Sequence, residues 1–252
     1  MKLKDTSILI TGGAIRVGRG LAEALAAQGC RLALHCNRSV TEAEALAKNL
    51  RRQGINVCVL KCDLLKPRAG EILIKRALQA LGRLDILINN AAVFNKESLI
   101  ISTEKQIRET IALNLTTPVL LTRAFAKIAK KGRIINILDQ RIAGVEAGLA
   151  GYLLSKKALA DFTRIAALEL APDITVNGVA PGPVLPPANI REKAGKIPLN
   201  RRPSMADLAE AVIFLLKSEA ITGQIIFVDG GQHLVGNKSV NRDSQSVFYE
   251  TK

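Results

Sequence analysis

Short runs of apolar residues alternate along the chain with longer segments in which apolar residues recur every three or four positions. A short apolar run is typical of a strand covered on both faces of a parallel sheet, and the longer period is typical of an amphipathic helix. The pattern predicts strands at residues 6–11, 31–36, 56–62, 84–89, 133–138, 174–179 and 224–228. It predicts helices at residues 16–28, 41–53, 67–81, 103–129, 152–170 and 205–216. Strands alternating with helices indicate an α/β fold, a doubly wound parallel sheet of seven strands that is Rossmann-like.

The boundaries of this alternation define the expected domain organisation. Residues 1–236 contain neither an internal repeat nor a dividing linker, so we expect a single domain. Residues 181–203 are rich in proline and charge, which is typical of a mobile lid over a site. Residues 237–252 are polar and form a predicted C-terminal tail. The second helix is expected to be capped by Thr41, with Glu44 three residues later.

Composition limits which cellular compartment and which kinds of partner we expect for the protein. No apolar run approaches the roughly 20 residues of a membrane helix, and no signal-peptide core is present, so we expect a cytoplasmic protein without a membrane partner. Four cysteines without a CxxC pair and only two histidines argue for reduced thiols and against a metal site. The net charge of +14 is compatible with nucleic acid as a partner. The basic residues are spread along the chain and aromatics are only 3%, so we expect no nucleic acid and a basic surface that attracts anionic ligands.

A glycine turn joins the first predicted strand to the first predicted helix, where residues 11–18 read TGGAIRVG. Gly12 permits a tight turn, and Gly18 lets the helix approach the sheet. The helix N-terminus then faces a position suited to a pyrophosphate. A glycine turn alone is weak evidence, but its place at the first strand–helix junction indicates a dinucleotide site.

The end of the second strand indicates which dinucleotide binds. A chain that binds NAD places a carboxylate here to hold the ribose 2′-hydroxyl. Residues 35–39 instead read HCNRS, and the first carboxylate after them is Glu42. The guanidinium of Arg38 and the hydroxyl of Ser39 suit a 2′-phosphate. The sequence therefore predicts NADPH as the cofactor.

Tyr152 and Lys156 are four residues apart, which places both side chains on one face of a helix. A phenol with an ordinary pKa of about 10 is a poor acid or base at neutral pH. We expect the neighbouring ammonium and the nicotinamide ring to favour the phenolate and to bring its pKa toward the working range. For this spacing alone, an ordinary pair on a helix surface is the alternative.

Several motifs in this order resemble the short-chain dehydrogenase/reductase family over about residues 5–236. They are TGGAIRVG at 11–18, CDL at 62–64, NNAA at 89–92, NLTTP at 114–118, YLLSK at 152–156, NGVAPG at 177–182 and VDGG at 228–231. The resemblance implies that Tyr152, Lys156 and Asn114 are catalytic, with Asn114 holding a water in a proton relay. It also implies a homotetramer. The implied cofactor-binding residues are Thr11, Gly12, Arg16, Val17, Gly18, His35, Asn37, Arg38, Ser39, Asp63, Leu64, Asn90, Ala91, Ala92, Tyr152, Lys156, Pro181 and Gly182.

Three positions, together with the HCNRS turn at residues 35–39, make the chain most similar to pteridine reductases within that family. Arg16 stands where most members have glycine, and Asp139 stands where most have a serine, thirteen residues before Tyr152. Phe94 matches in position an aromatic residue that pteridine reductases use to sandwich the pterin against nicotinamide. The resemblance implies that Arg16, Phe94, Asp139 and Tyr152 bind the substrate and that Asp139 joins the catalytic residues.

Asp139 favours reduction of a C=N bond over reduction of a ketone. A carboxylate would repel a ketone oxygen, but a ring nitrogen must gain a proton, which Asp139 with a raised pKa can supply beside Tyr152. We therefore expect NADPH-dependent reduction of a dihydropterin or dihydrofolate-type substrate to the tetrahydro form. A carbonyl reductase of 3-oxoacyl thioesters or other ketones is one alternative, and a non-catalytic NADPH-binding sensor is another.

Overall fold

A parallel sheet forms the core of the fold. The computed structural model describes residues 2–96, 98–185 and 196–235. The strands within them are β1 (Ser7–Ile10), β2 (Arg31–Cys36), β3 (Val57–Lys61), β4 (Ile86–Asn89), β5 (Gly132–Ile137), β6 (Ile174–Pro181) and β7 (Ile225–Val228). Their order is β3-β2-β1-β4-β5-β6-β7, and every neighbouring pair is parallel. The predicted seven-stranded, doubly wound sheet is confirmed.

Helices cover both faces of this sheet. They are α1 (Arg16–Ala27), α2 (Val40–Arg52), α3 (Ala69–Leu81), α4 (Glu104–Ile111), α5 (Thr117–Ala126), α6 (Ala150–Glu169), α7 (Met205–Lys217) and α8 (Gln232–Val235). Successive strand residues point to opposite faces. In β1, Ile8 and Ile10 therefore pack with α1, α2 and α7, whereas Leu9 packs with α3, α5 and α6. Both faces of the strand are buried, which explains its uninterrupted apolar run.

The predicted helix over 103–129 is wrong in its middle. The structure ends α4 at Ile111, continues through a π-helical turn at Ala112–Thr116, and begins α5 at Thr117. Apolar residues continue through the turn, so sequence periodicity alone does not reveal the change. Such a turn holds one more residue than an α-helical turn and is frequent at functional sites. Here it carries the buried side chain of Asn114.

The predicted cap at Thr41 is also wrong. Helix α2 begins at Val40, and Ser39 precedes it without a side-chain hydrogen bond to the helix. Thr41 therefore lies inside the first turn. A capping box is present instead at the start of α4, where Thr103 and Gln106 each accept from the other's backbone N–H.

The direction of the strand order changes between β1 and β4, which opens a crevice at the carboxyl ends of these strands. The segments after β1, β4 and β5 all leave the sheet at this edge. Of the predicted lid over 181–203, residues 186–195 lie outside the described residues. So do residue 236 and the predicted tail at 237–252. These assignments and the 1–236 domain boundary stay predictions.

Two further expectations concern cysteines and membranes. All four cysteines are unbridged, as expected for reduced thiols. In the part of the chain that the structure describes, no helix has the length and apolar character to cross a membrane.

Candidate active site

A cleft of about 1550 Å³ lies along the carboxyl ends of the strands. It is lined by every residue that the sequence assigned to cofactor, substrate or catalysis, except Thr11 and Asn114. These two side chains are buried behind the wall of the cleft. The sequence-derived set is thus brought together in one place, although its members come from the ends of β1 to β6, the start of α1, the π-helical turn and α6.

The turn after β1 brings a helix N-terminus to the cleft. Gly12 has φ +62°, a left-handed backbone that favours glycine. A Cβ on Gly18 would lie 1.9 Å from the carbonyl oxygen of Gly12, so only glycine permits this close approach. No side chain caps α1 at Ile15. The N–H groups of the first helical turn are therefore available to an anion, whose charge the helix dipole favours.

His35 holds this turn in place from β2. The N–H of Gly12 donates to His35 Nδ1 at 3.1 Å, and His35 Nε2 donates to the carbonyl oxygen of Cys62 at 3.0 Å. This pattern requires a neutral imidazole with its proton on Nε2. Burial lowers the pKa of His35, in agreement with that neutral form. His35 thus connects the turn after β1 to the end of β3.

Asn90 holds the same turn from the end of β4. Its Nδ2 donates to the carbonyl oxygens of Thr11 and Gly12 at 2.9 and 3.1 Å. In return, Thr11 Oγ1 accepts from the backbone N–H groups of Asn90 and Ala91 at 2.9 and 3.0 Å. Three of these four bonds involve Thr11, which therefore holds the turn in place although it does not line the cleft.

The end of β2 presents a basic rim to the cleft. Asn37 and Arg38 are exposed there, and Ser39 is half-buried beside them. Asp63, the nearby carboxylate after β3, accepts the backbone N–H of Leu65 at 3.1 Å. The exposed guanidinium of Arg38 can thus meet an anionic group in the cleft.

At the other end of the cleft, Tyr152 and Asp139 form a buried pair. Tyr152 Oη donates to Asp139 Oδ2 at 2.8 Å. The pKa of Tyr152 is raised well above its ordinary value, first by burial and then by the charge and hydrogen bond of Asp139, while Arg141 opposes the rise. The expectation that Lys156 brings this pKa down is therefore wrong for the chain by itself. The protein holds a proton on the phenol.

Lys156 is buried one turn along α6 from Tyr152. Its Nζ donates to the carbonyl oxygen of Ile137 at 2.7 Å, at the end of β5. Burial lowers the pKa of Lys156 to about 8, against the opposing charge of Asp139. The ammonium is thus anchored to the sheet and lines the cleft beside the Tyr152–Asp139 pair.

Asn114 ties the segment after β4 to α6. Its Oδ1 accepts from the N–H of Val93, and its Nδ2 donates to the carbonyl oxygen of Val93, both at 2.9 Å. Nδ2 also lies 3.3 Å from Ser155 Oγ, which donates to the carbonyl oxygen of Tyr152 at 2.6 Å. The π-helical turn therefore places Asn114 where it fixes the backbone that carries Phe94. Its role in holding a water stays a prediction.

Phe94 and Arg141 form the wall above the pair. The ring of Phe94 is 46% exposed and meets Tyr152 edge to face, with the centroids 4.8 Å apart at 83°. The guanidinium carbon of Arg141 lies 5.5 Å from the centroid of Phe94. Sequence reasoning missed Arg141. The available signal was its place two residues after an aspartate, since Asp139 Oδ1 accepts the N–H of Arg141 at the start of a 3-10 turn.

Comparisons with known proteins agree with this geometry. A family model described as enoyl-(acyl carrier protein) reductase matches residues 13–233. Pteridine reductase 1 of Leishmania tarentolae is 33% identical over 280 residues, covering 90% of this chain and 96% of the relative. A 3-oxoacyl-[acyl-carrier-protein] reductase of Synechocystis is 33% identical over 236 residues, covering 88% and 95%.

A solved structure is similar in both fold and sequence. The FolM alternative dihydrofolate reductase 1 of Brucella canis, complexed with NADP, superimposes with a TM-score of 0.87 at 37% identity. The match covers 92% of this chain and 96% of that one. The matched length, the identities and the assembled motifs lead to one conclusion. The chain belongs to the short-chain dehydrogenase/reductase family of oxidoreductases.

Proposed function

We propose that the chain reduces the ring C=N bond of a dihydropterin or dihydrofolate-type substrate to the tetrahydro form, with NADPH as reductant. The observation that carries the proposal is the buried hydrogen bond from Tyr152 Oη to Asp139 Oδ2 beneath the half-exposed ring of Phe94. This arrangement combines a stacking surface for a flat ring with a proton source beside it.

The described residues fit NADPH. The uncapped N-terminus of α1 suits the pyrophosphate, and Arg38 with Ser39 suits the 2′-phosphate. Lys156 lines the same cleft, and we assign its ammonium to the hydroxyls of the nicotinamide ribose. The proposed cofactor contacts are those named from the sequence, with Thr11 and His35 acting by holding the glycine turn. When bound, NADPH supplies a hydride to the ring carbon of the substrate.

The protein's own part in the reaction is to position the ring and deliver a proton. As the C=N bond becomes a single bond, its nitrogen gains an electron pair and takes a proton from the Tyr152–Asp139 pair. Phe94 stacks on the pterin, and Arg16, which lines the cleft at the start of α1, contacts its carbonyl edge. Lys156 lines the cleft beside the pair, with its ammonium held by the carbonyl oxygen of Ile137.

Relatives support both this substrate class and a rival. By their names, pteridine reductase 1 acts on a pteridine and the FolM protein acts on dihydrofolate, and FolM was solved with NADP. The 3-oxoacyl-[acyl-carrier-protein] reductases favour a ketone substrate instead. Asp139 distinguishes the two, since a carboxylate 2.8 Å from the donor phenol disfavours the alkoxide that a ketone forms.

We further propose a cytoplasmic homotetramer. Helices α5 and α6 carry exposed apolar side chains that a second copy would cover, namely Leu120 on α5 and Leu154 and Leu168 on α6. Light scattering of the purified protein gives the subunit number directly. A monomer at micromolar concentration contradicts this assembly and leaves the reaction unaffected.

Oxidation of NADPH with three separate acceptors tests the function. We expect turnover with dihydrobiopterin or dihydrofolate to exceed turnover with acetoacetyl thioester. The reverse preference supports the ketone reductase. Binding of NADPH without oxidation by any acceptor supports the non-catalytic sensor.

A further inference from the structure

Arg141 contacts Asp139 and Phe94 directly and reaches Tyr152 through Asp139. Its backbone N–H donates to Asp139 Oδ1 at 2.8 Å, and its Nη1 donates to Asp139 Oδ2 at 3.3 Å. Oδ2 is also the acceptor for Tyr152. The same guanidinium lies over the ring of Phe94. Both oxygens of Asp139 are therefore oriented by Arg141, and the same guanidinium orients the ring of Phe94, which meets Tyr152 edge to face.

The guanidinium is itself held in place. Arg141 Nε donates to Glu146 Oε2 at 3.0 Å, and Glu146 Oε1 lies 4.0 Å from Lys96 Nζ. Lys96, Glu146, Arg141 and Asp139 thus alternate in charge across the cleft. The side chains of Arg141 and Glu146 are only 21% and 18% exposed, so solvent screens this pair less than a surface ion pair. The series joins the segment after β4 to the segment after β5.

We propose that Arg141 is a positioning residue that fixes the carboxylate of Asp139 toward Tyr152 and holds the ring of Phe94 over the pair. Arg141 acts through these side chains and not on the substrate itself. The inference rests on the proposed function only for the identity of the substrate that accepts the proton. The positioning role itself would be the same for a ketone, which also takes its proton from this site.

The positive charge gives this role a signature that packing alone lacks. The charge favours the deprotonated form of the Tyr152–Asp139 pair, so it lowers the apparent pKa values of the pair. The other ionisable groups that line the cleft include Arg16, Lys96, Glu109, Glu146, Lys156, Lys196 and Arg202. A reaction that uses the proton of the pair slows as pH rises through the pair's apparent pKa. Loss of the charge at position 141 therefore moves this decline to higher pH.

The pH dependence of kcat and KM in three variants of the full chain, with NADPH, tests the proposal. Arg141→Gln removes the charge, whereas Arg141→Lys keeps the charge and loses the planar fork. Arg164→Gln is the matched control, because Arg164 forms an exposed ion pair with Asp161 on α6. We expect Arg141→Gln to lower kcat/KM about 10-fold and to move the decline upward by about 1 pH unit. Arg141→Lys should keep the decline in place while KM rises, and the control should match the unmutated chain.

The outcomes separate this inference from the proposed function. A loss of activity in Arg141→Gln with an unmoved decline overturns the positioning role. If the unmutated chain reduces only acetoacetyl thioester, the pteridine proposal fails, and the same profiles with that ketone still test Arg141. If neither acceptor reacts, the pH titration of the Tyr152 phenol tests the role of Arg141 without turnover. Tyr249→Phe makes Tyr152 the sole tyrosine in a chain without tryptophan, so its phenolate absorbance is read directly. An unchanged titration in Arg141→Gln then contradicts the proposal, and a shift to higher pH supports it.

Discussion

Replacing Asp139 by asparagine should make the phenol of Tyr152 far easier to ionise. In the unmutated chain, burial and then the charge and hydrogen bond of Asp139 raise the pKa of Tyr152 well above 10. Asparagine retains an oxygen that can accept the hydrogen bond at the present 2.8 Å but carries no charge. The substitution therefore isolates the effect of the charge.

The separation between the carboxylate charge and the phenolate charge sets the size of the electrostatic effect on the pKa of Tyr152. Two charges about 4 Å apart interact by about 4 kcal/mol at the effective dielectric of a partly buried site. One pKa unit corresponds to about 1.4 kcal/mol, so the upper bound is a fall of about 3. Two effects make the actual fall smaller than this bound. Asparagine still accepts a hydrogen bond from the protonated phenol, and the surrounding structure relaxes around the substitution. We expect the pKa of Tyr152 to fall by about 1–3 in Asp139→Asn.

Phenolate absorbance measures this change in the Tyr249→Phe background, where Tyr152 is the only tyrosine. Asp161→Asn serves as the matched control, since Asp161 is an exposed carboxylate on the same helix. The unmutated chain should keep its phenol protonated at pH 10. Ionisation of Tyr152 at its ordinary pKa in the unmutated chain, or an equal titration in Asp139→Asn, refutes the coupling of the two groups.

Three other variants test the cofactor site and the acid–base pair. The unmutated chain should bind NADPH at least about tenfold more tightly than NADH, a difference in binding free energy of about 1.4 kcal/mol. Arg38→Ala should erase most of this preference in a fluorescence titration. Equal affinities of the unmutated chain for the two cofactors contradict the role of Arg38. Tyr152→Phe should bind NADPH normally while turnover falls about 10²-fold or more, and full activity would require another proton donor. Relative to Lys156→Met, the unmutated chain should become more stable to urea as pH rises from 8 toward 10.5. The reason is that the folded chain releases the Lys156 proton near pH 8, whereas the unfolded chain keeps it. A difference in unfolding free energy between the two chains that stays constant with pH contradicts the lowered pKa of Lys156.

The sequence predicts the sheet and most of the site because these depend on local patterns. Apolar runs mark the buried strands, and the glycine turn and the Tyr152–Lys156 spacing are contiguous signals. The π-helical turn at Ala112–Thr116 is different, because the apolar period continues through it. Sequence analysis did not identify Arg141 for a related reason, since its guanidinium reaches Asp139 and Phe94 only after the 3-10 turn folds.

The protonation of Tyr152 shows why electrostatics are harder to predict than positions. The spacing correctly places Lys156 one turn from Tyr152, but the ammonium donates to the carbonyl of Ile137. The shift in the phenol's pKa is set first by burial and then by Asp139. Burial depends on the whole tertiary structure, so a pair of residues in the sequence does not determine it.

The most direct test of the account is the ratio of kcat/KM for dihydrobiopterin to kcat/KM for acetoacetyl thioester, measured with NADPH in the unmutated chain and in Asp139→Ser. Serine is neutral and can donate to a carbonyl, so it removes the carboxylate that the pterin reaction requires and relieves the repulsion of an alkoxide. We predict a ratio above one in the unmutated chain and a fall of about 10²-fold or more in the variant. An unmutated chain that prefers the ketone, with pterin turnover unchanged in Asp139→Ser, contradicts pteridine reduction.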